Sequence, residues 1–428
     1  MFFRHAAIFV SVVLAAGAHA ESEFNADLQN RVKVLETEVA RLQALPVVKT
    51  SDGGLRAETP DGASRIRIGG RLQADTAFYR SDVNPLGSGS EIRSARLRVS
   101  GAVSPVWDYK LEADFLPGQG VRLTEAYLAW RGLPRQTVMV GNLFELYGLE
   151  EFSSSTDLTF MERSLAIDAI APDYNQGVSW ARWGDAYHIA AGVFGDSDNN
   201  RQPVKDCDST TTPKTGCNES WGASARAVLA LPNTDGHVVS LGASAYWRDP
   251  VSDDWRISAR PDSHVTRFRA VDTGAIPGVT GVIATGLEAS FTHGPWSWQG
   301  EWNRVALSRN AARSKVAFNG WYLLGSYVLT GESRPWDMAT ATYGRIRPAQ
   351  KSGAWELALR YDTLNLNDGA VAGGRVRTAT LGLNWYATPA IKLMANLIRV
   401  DGRKDYNNDG LVETDRPTVA QFRAQLAF

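Results

Sequence analysis

Only two cysteines, Cys207 and Cys217, occur in 428 residues, and 9 lysines stand against 36 arginines. Two thiols cannot build a four-thiolate metal centre. The pair lies in a polar loop, KDCDSTTTPKTGC, where an exported protein would close a local disulfide. No run of about 18 apolar residues occurs anywhere, so no transmembrane helix is encoded. The formal charge is −1, without the basic excess of a nucleic-acid binder. Histidine is sparse. His188, His237, His264 and His293 fall in separate segments with no nucleophile motif beside them, which gives a hydrolase reading nothing to build on.

What the chain has is alternation. In Thr418–Phe428 (TVAQFRAQLAF), Ala420, Phe422, Ala424, Leu426 and Phe428 share one face, while Val419, Gln421, Arg423 and Gln425 share the other. That is the two-residue period of a strand with an oily side and a wet side. Sixteen such segments are counted: 64–80, 92–104, 107–116, 122–132, 135–142, 174–183, 186–195, 221–231, 236–248, 282–293, 296–309, 318–331, 354–366, 376–387, 390–401 and 418–428. Inside lipid every backbone polar group needs an internal partner, and a closed sheet with an even strand number supplies it. The sequence therefore predicts an all-β fold, a 16-stranded antiparallel transmembrane β-barrel over 64–428. Short turns are expected at the periplasmic rim and long loops outside, with room for a further strand pair within 249–281. Aromatic residues reach 10% and include 14 Trp, the material of interfacial girdles.

Ahead of the barrel, Arg4 and His5, the apolar run Ala6–Gly17 and Ala18-His19-Ala20 have the layout of a cleavable signal peptide over 1–20. Residues 21–45 place Val32 and Val39 at a and Leu28, Leu35 and Leu42 at d of a short heptad seam. This is a periplasmic coiled coil, or else an amphipathic helix packed on its own barrel. Two and a half heptads hold partner chains only if something else joins them, so a coiled coil would ride on an oligomeric barrel. Residues 46–63 read as a linker.

The alternation also assigns faces. Ile66, Ile68, Leu72, Ala74 and Phe78 point to lipid, leaving Arg65, Arg67, Arg71, Gln73 and Asp75 to the lumen; Leu97 and Val99 leave Arg96 and Arg98 inside. By the same parity Lys110, Glu112 and Asp114, then Arg226, Glu356, Arg360 and Arg423, face inward. A mixed-charge interior predicts a water-filled lumen instead of a packed core.

Between the fifth and sixth strands, residues 143–173 lack alternation and are expected to fold inward as a constriction. The segments Tyr147-Gly148-Leu149-Glu150, Phe160–Arg163 (FMER), Ser326–Glu332 (SYVLTGE), Gly353–Asp368 (GAWELALRYDTLNLND) and Trp107–Phe115 (WDYKLEADF) resemble the phosphate-selective porin family, the O/P porins, over about 64–428. The resemblance implies trimers of sixteen-stranded outer-membrane barrels, a third loop that narrows each pore, basic residues that guide anions, and no cofactor. Carried onto this chain, the anion path would be Arg65, Arg67, Arg71, Arg96, Arg98, Lys110, Arg226, Arg360 and Arg423. Glu145, Glu150, Glu151 and Arg163 would shape the constriction. Where the family has basic residues at the start of that loop, this chain has Asn142 and Glu145. Between Asn142 and Leu165 five acids face one base, so a transverse field against the arginine wall is expected.

The expected function is passive diffusion of small hydrophilic solutes, anions such as phosphate among them, across the outer membrane of a Gram-negative bacterium. A general pore that also admits zwitterions or cations, without tight phosphate capture, is the alternative; an adhesin displaying its long loops is a further class. Asp405, Asn407 and Asp409 have the spacing of half a calcium loop. Arg416 stands where a bidentate Glu belongs, which favours an ordinary Asn/Asp/Gly loop.

Overall fold

The computed structural model describes residues 24–428 apart from 52, 117–119, 196–219, 235, 251–253, 311–312 and 408. The signal segment 1–20 and the cysteine pair Cys207 and Cys217 lie outside the described residues. Sixteen antiparallel staves form one sheet. They are β1 (Arg65–Arg80), β2 (Gly89–Ser104), β3 (Trp107–Asp114), β4 (Arg122–Trp130), β5 (Gln136–Phe144), β6 (Tyr174–Trp183), β7 (Tyr187–Phe194) and β8 (Trp221–Thr234). Then come β9 (His237–Asp249), β10 (Val279–His293), β11 (Trp296–Arg309), β12 (Val316–Val328), β13 (Ala354–Asp368), β14 (Val371–Tyr386), β15 (Ile391–Lys404) and β16 (Thr418–Ala427). Each pairs with its neighbour in sequence, and β16 returns to β1 with Ala424 opposite Ala74, so the ring of staves is closed.

The outer face follows the alternation. Leu72, Phe78, Leu97, Leu111, Leu229, Leu287, Leu359, Leu397 and Phe422 are all exposed on the monomer surface. Exposure of large apolar side chains at every second position is what hydrocarbon contact requires. Trp355 stacks on Trp385 at 5.7 Å near the short-turn rim, and Trp321 packs against Tyr361 at 5.6 Å farther up the wall.

Residues 24–43 are helical, α1, with Leu28, Val32, Leu35, Val39 and Leu42 all exposed; no other described part of the chain covers that stripe. The stretch read as a linker carries a hairpin, Val47–Ser51 with Gly54–Glu58. Its second strand adds onto β1 through Leu55 opposite Ile68.

Two departures from the expected plan matter. After β12 the chain is at the short-turn rim, yet residues 329–353 make a 25-residue connection there. Conversely β13 and β14 are joined by a tight turn at Gly369 (φ 56°) on the long-loop side. The 249–281 stretch adds no staves: Ser258–Ala259 pairs with Val271–Asp272 in a segment that folds into the barrel. The expectation of a wholly wet interior is therefore corrected. Ile257, Ala270, Val271 and Ile276 of that segment, with Ile167 and Ile170 of the constriction loop, pack on inward Val282, Val305, Leu307, Phe318, Leu364 and Val376 in one apolar core. Half of the lumen is dry because its wall is apolar on both faces toward the long-loop end.

Candidate functional site

The other half is open. A cavity of ≈ 1150 Å³ runs along the inner wall of β1–β6, bounded opposite by the constriction loop and residues 335–347. It is lined by twelve basic side chains and eight acidic ones.

The basic wall rests on strand register. Arg71 of β1 lies opposite Arg96 of β2, and Gly69 lies opposite Arg98. A bulge at Arg93 lets Gln73 face Ser94 while Ala74 faces Ile92. The extra residue re-aims its side chain, and Arg93 joins the cavity lining. Arg96 is fully committed: it donates to Asp114 at 2.8 Å, to Glu112 at 2.9 Å and to the Tyr174 hydroxyl at 3.0 Å. Lys110 pairs with Glu125. Arg71 instead meets two hydroxyls, Ser94 Oγ at 3.1 Å and Ser155 Oγ of the constriction loop. Arg98 has only a long bond to the Phe428 main-chain oxygen at 3.4 Å. Among the described residues Arg67, Arg71 and Arg98 have no side-chain carboxylate partner, and all three line the cavity. Oriented donors without a fixed anion are what a passing anion meets.

The facing bank is the loop between β5 and β6, with short helices α2 (Leu149–Phe152) and α3 (Leu165–Ile170). Glu301 of β11 accepts from the Leu149 and Glu150 amides at 2.9 and 2.7 Å, closing the open N–H groups of α2. Gly148 (φ 59°) permits this: a Cβ there would lie 2.6 Å from a Glu301 oxygen. Asp362 of β13 accepts from the Leu165 amide at 2.7 Å, and Ser164 Oγ caps α3 through the Ile167 amide at 3.4 Å. Arg163 donates to the Glu150, Glu151 and Ser153 carbonyls at 3.2, 2.9 and 3.2 Å, satisfying the last carbonyls of α2. The loop is thus nailed across the lumen to the packed side.

That anchoring consumes its charge. Glu145 is fully buried between Arg248 and Asn175. Glu150 accepts from the Ser164 amide at 2.8 Å and sits 3.5 Å from Arg360. Asp157 pairs with Arg345 at 3.2 Å. Glu162 holds Arg93 in a two-pronged pair, both bonds 3.0 Å, and Arg423 at 2.7 Å. Glu151, which lines the cavity, pairs with Arg163 at 2.9 Å; desolvation pushes its carboxyl up to about 8. Each of these five acids therefore has a cationic partner, which leaves Asp168, exposed on the same loop, facing the cavity beside them.

Of the nine cations picked from sequence, six line the cavity: Arg67, Arg71, Arg96, Arg98, Lys110 and Arg423. Arg65 lies at the short-turn rim, paired with Asp108 at 2.9 Å. Arg226 is buried, bound to Glu288 at 3.0 and 2.7 Å and donating to the Thr340 and Ala341 carbonyls. Arg360 is 1% exposed, with Asp262 at 3.2 Å and Asp362 at 3.6 Å. Arg226 and Arg360 face inward as the alternation said, into the dry half. Sequence reasoning missed Arg93, Arg122, Arg131, Arg345 and Arg347, which also line the cavity. Only Arg93 left a trace, where the two-residue period skips.

Other candidates are dispersed. His188 is buried in the wall; His237 and His293 face each other at 2.8 Å near the short-turn rim; His264 bonds Glu91 at 2.8 Å. Asp405 accepts from the Asp409 and Gly410 amides at 3.1 and 2.9 Å, the pattern of an Asx-capped turn. Asn407 donates to Glu413 instead of converging on Asp405 and Asp409.

Comparison with known proteins agrees with this architecture. The chain is 31% identical over 389 residues to an uncharacterized protein of Caulobacter vibrioides, covering 86% of this chain and 75% of that one. It is 27% identical over 412 residues to Porin O of Pseudomonas aeruginosa, covering 85% and 89%. Among solved structures, an anion-selective porin from Comamonas acidovorans superposes with a TM-score of 0.51 at 16% identity, over 85% of this chain and 100% of that one. The trimer form of OmpT, an outer membrane protein of Vibrio cholerae, gives 0.55 at 12% identity, over 86% and 100%. The family model "Phosphate-selective porin O and P" matches residues 66–428, and the chain belongs to that family.

Proposed function

We propose that this porin is a passive, anion-preferring pore of the outer membrane, with phosphate among several small anions that it admits. The carrying observation is the trio Arg67, Arg71 and Arg98, which line the open cavity without an ion pair to an aspartate or glutamate among the described residues. Low-dielectric walls focus the potential of such charges. Most remaining cations are neutralised by neighbours, Arg96 by two carboxylates and Arg93 with Arg423 by Glu162. That favours weak binding, on the order of millimolar or about 4 kcal/mol, which suits throughput better than capture.

Reversal potentials in a KCl gradient across a planar bilayer test the reading. Chloride should carry more current than potassium, and Arg67→Gln/Arg71→Gln/Arg98→Gln should remove roughly a tenfold bias. A wild-type preference for potassium would overturn it. Added phosphate should block chloride current only at millimolar levels; micromolar block would assign tight capture.

The mature assembly is read as a homotrimer after loss of residues 1–20. Strands β3–β7 have 8, 9, 9, 10 and 8 residues, against 13 to 16 in β9–β15. A low wall suits subunit contact and a tall one lipid. The exposed α1 stripe has the spacing for a parallel seam between copies. Sedimentation in detergent tests this, and a monomer would refute it.

A further inference from the structure

The outer wall bears a charge pattern that passage through the lumen does not use. Outward side chains of β15 run Ile391, Leu393, Ala395 and Leu397, then turn to Arg399, Asp401 and Arg403. On β14 the outward series Trp385, Leu383, Leu381 and Ala379 gives way to Arg377 and Arg375. From Ile391 to Arg399 is roughly 27 Å along the strand, hence about 20 Å of height at the usual tilt, close to the height of an apolar band. The arginines therefore begin where hydrocarbon ends, on the long-loop side.

Register gathers them. Arg375 is opposite Arg403, and Arg377 is opposite Asp401. Arg399 is opposite Thr418, which is opposite Arg80. Directly opposite side chains lie about 5 Å apart, and like charges so placed repel. Counter-charge is short, because Asp401 is engaged by Arg416 at 3.3 Å. Arg80, Arg375, Arg377 and Arg403 have no carboxylate partner among the described residues, and all but Arg375 are exposed. A cross-strand arginine pair above an oily wall is balanced by an anion that itself carries an oily tail.

We propose that this patch binds the phosphorylated headgroups of lipids in the extracellular leaflet, with phosphate bridging guanidinium groups of β14 and β15. Guanidinium suits this role because its planar fork binds phosphate oxygens in pairs. The acyl chains lie along Leu381, Leu383, Leu393 and Leu397. The patch faces away from the lumen, so its occupancy is independent of ion preference.

The test uses the purified full-length protein in detergent and measures bound diphosphoryl lipid A by native mass spectrometry. Arg377→Gln/Arg399→Gln/Arg403→Gln should bind it roughly a hundredfold more weakly, with single-channel conductance unchanged. Arg182→Gln, exposed on β6 at the opposite rim, should bind as wild type does. Lipid A stripped of its phosphates should bind the wild type no better than the intact lipid binds the triple variant. Equal binding of intact and stripped lipid, equal binding by the triple variant and wild type, or displacement of the lipid by millimolar inorganic phosphate would each overturn the proposal. If the triple variant fails to insert, Arg403→Gln alone and the stripped-lipid comparison on wild type decide it.

Discussion

On the inner wall of β1 and β2 an arginine looks across open space; on β8 and β13 an arginine of the same inward parity is enclosed by carboxylates and loop carbonyls. Arg71 meets two hydroxyls, whereas Arg360 meets Asp262, Asp362 and Glu150 at 1% exposure. Alternation chooses the side of the wall for both and does not distinguish them. Whether a folded loop covers the side chain decides if it guides solute or fastens the structure.

Arg360→Ala is expected to show the largest effect, a loss of about 3–5 kcal/mol, because it leaves three buried carboxyls without their cation. Thermal unfolding in detergent measures it, and single-channel conductance should rise as the constriction loop loosens. Arg71→Ala should change stability by no more than about 0.5 kcal/mol while lowering chloride preference; similar melting curves for the two variants would erase the distinction. Glu162→Gln falls between them. Weakening its contacts to Arg93 and Arg423 should cost about 2 kcal/mol and strengthen anion preference by freeing Arg93, while Arg423 stays held by Asp75 at 2.7 Å. The smallest effect concerns pH. With its carboxyl pushed up to about 8, Glu151 is largely neutral at pH 6 and charged at pH 9. Reversal potentials should therefore show chloride preference falling as pH rises through that interval, and Glu151→Gln should flatten the change.

Much of this was legible in the chain. Strand number, inward parity and the inward course of residues 143–173 follow from where the two-residue period holds and where it stops. The dry half was less visible. In β10 and β12 both faces turn apolar toward the long-loop end, as with Val282 beside Ile283, and a strand buried on both sides loses the contrast that marks a face. The 329–353 connection was countable, since twelve strands return the chain to the short-turn rim. Its fate depended on distant partners, among them Arg226 holding Thr340 and Ala341 and Arg345 reaching Asp157, which no local pattern encodes.

Closure of the sheet has a consequence for biogenesis. Gln73 bonds Gln425 at 2.7 Å across 352 positions, and Phe428 exchanges backbone bonds with Gly70 at 2.8 and 3.0 Å. An incomplete polypeptide would carry two raw β edges and no way to join them. Contacts so remote in sequence also form slowly. Closure of the barrel must therefore wait for the final strand, and until then both raw edges need cover from something other than this chain.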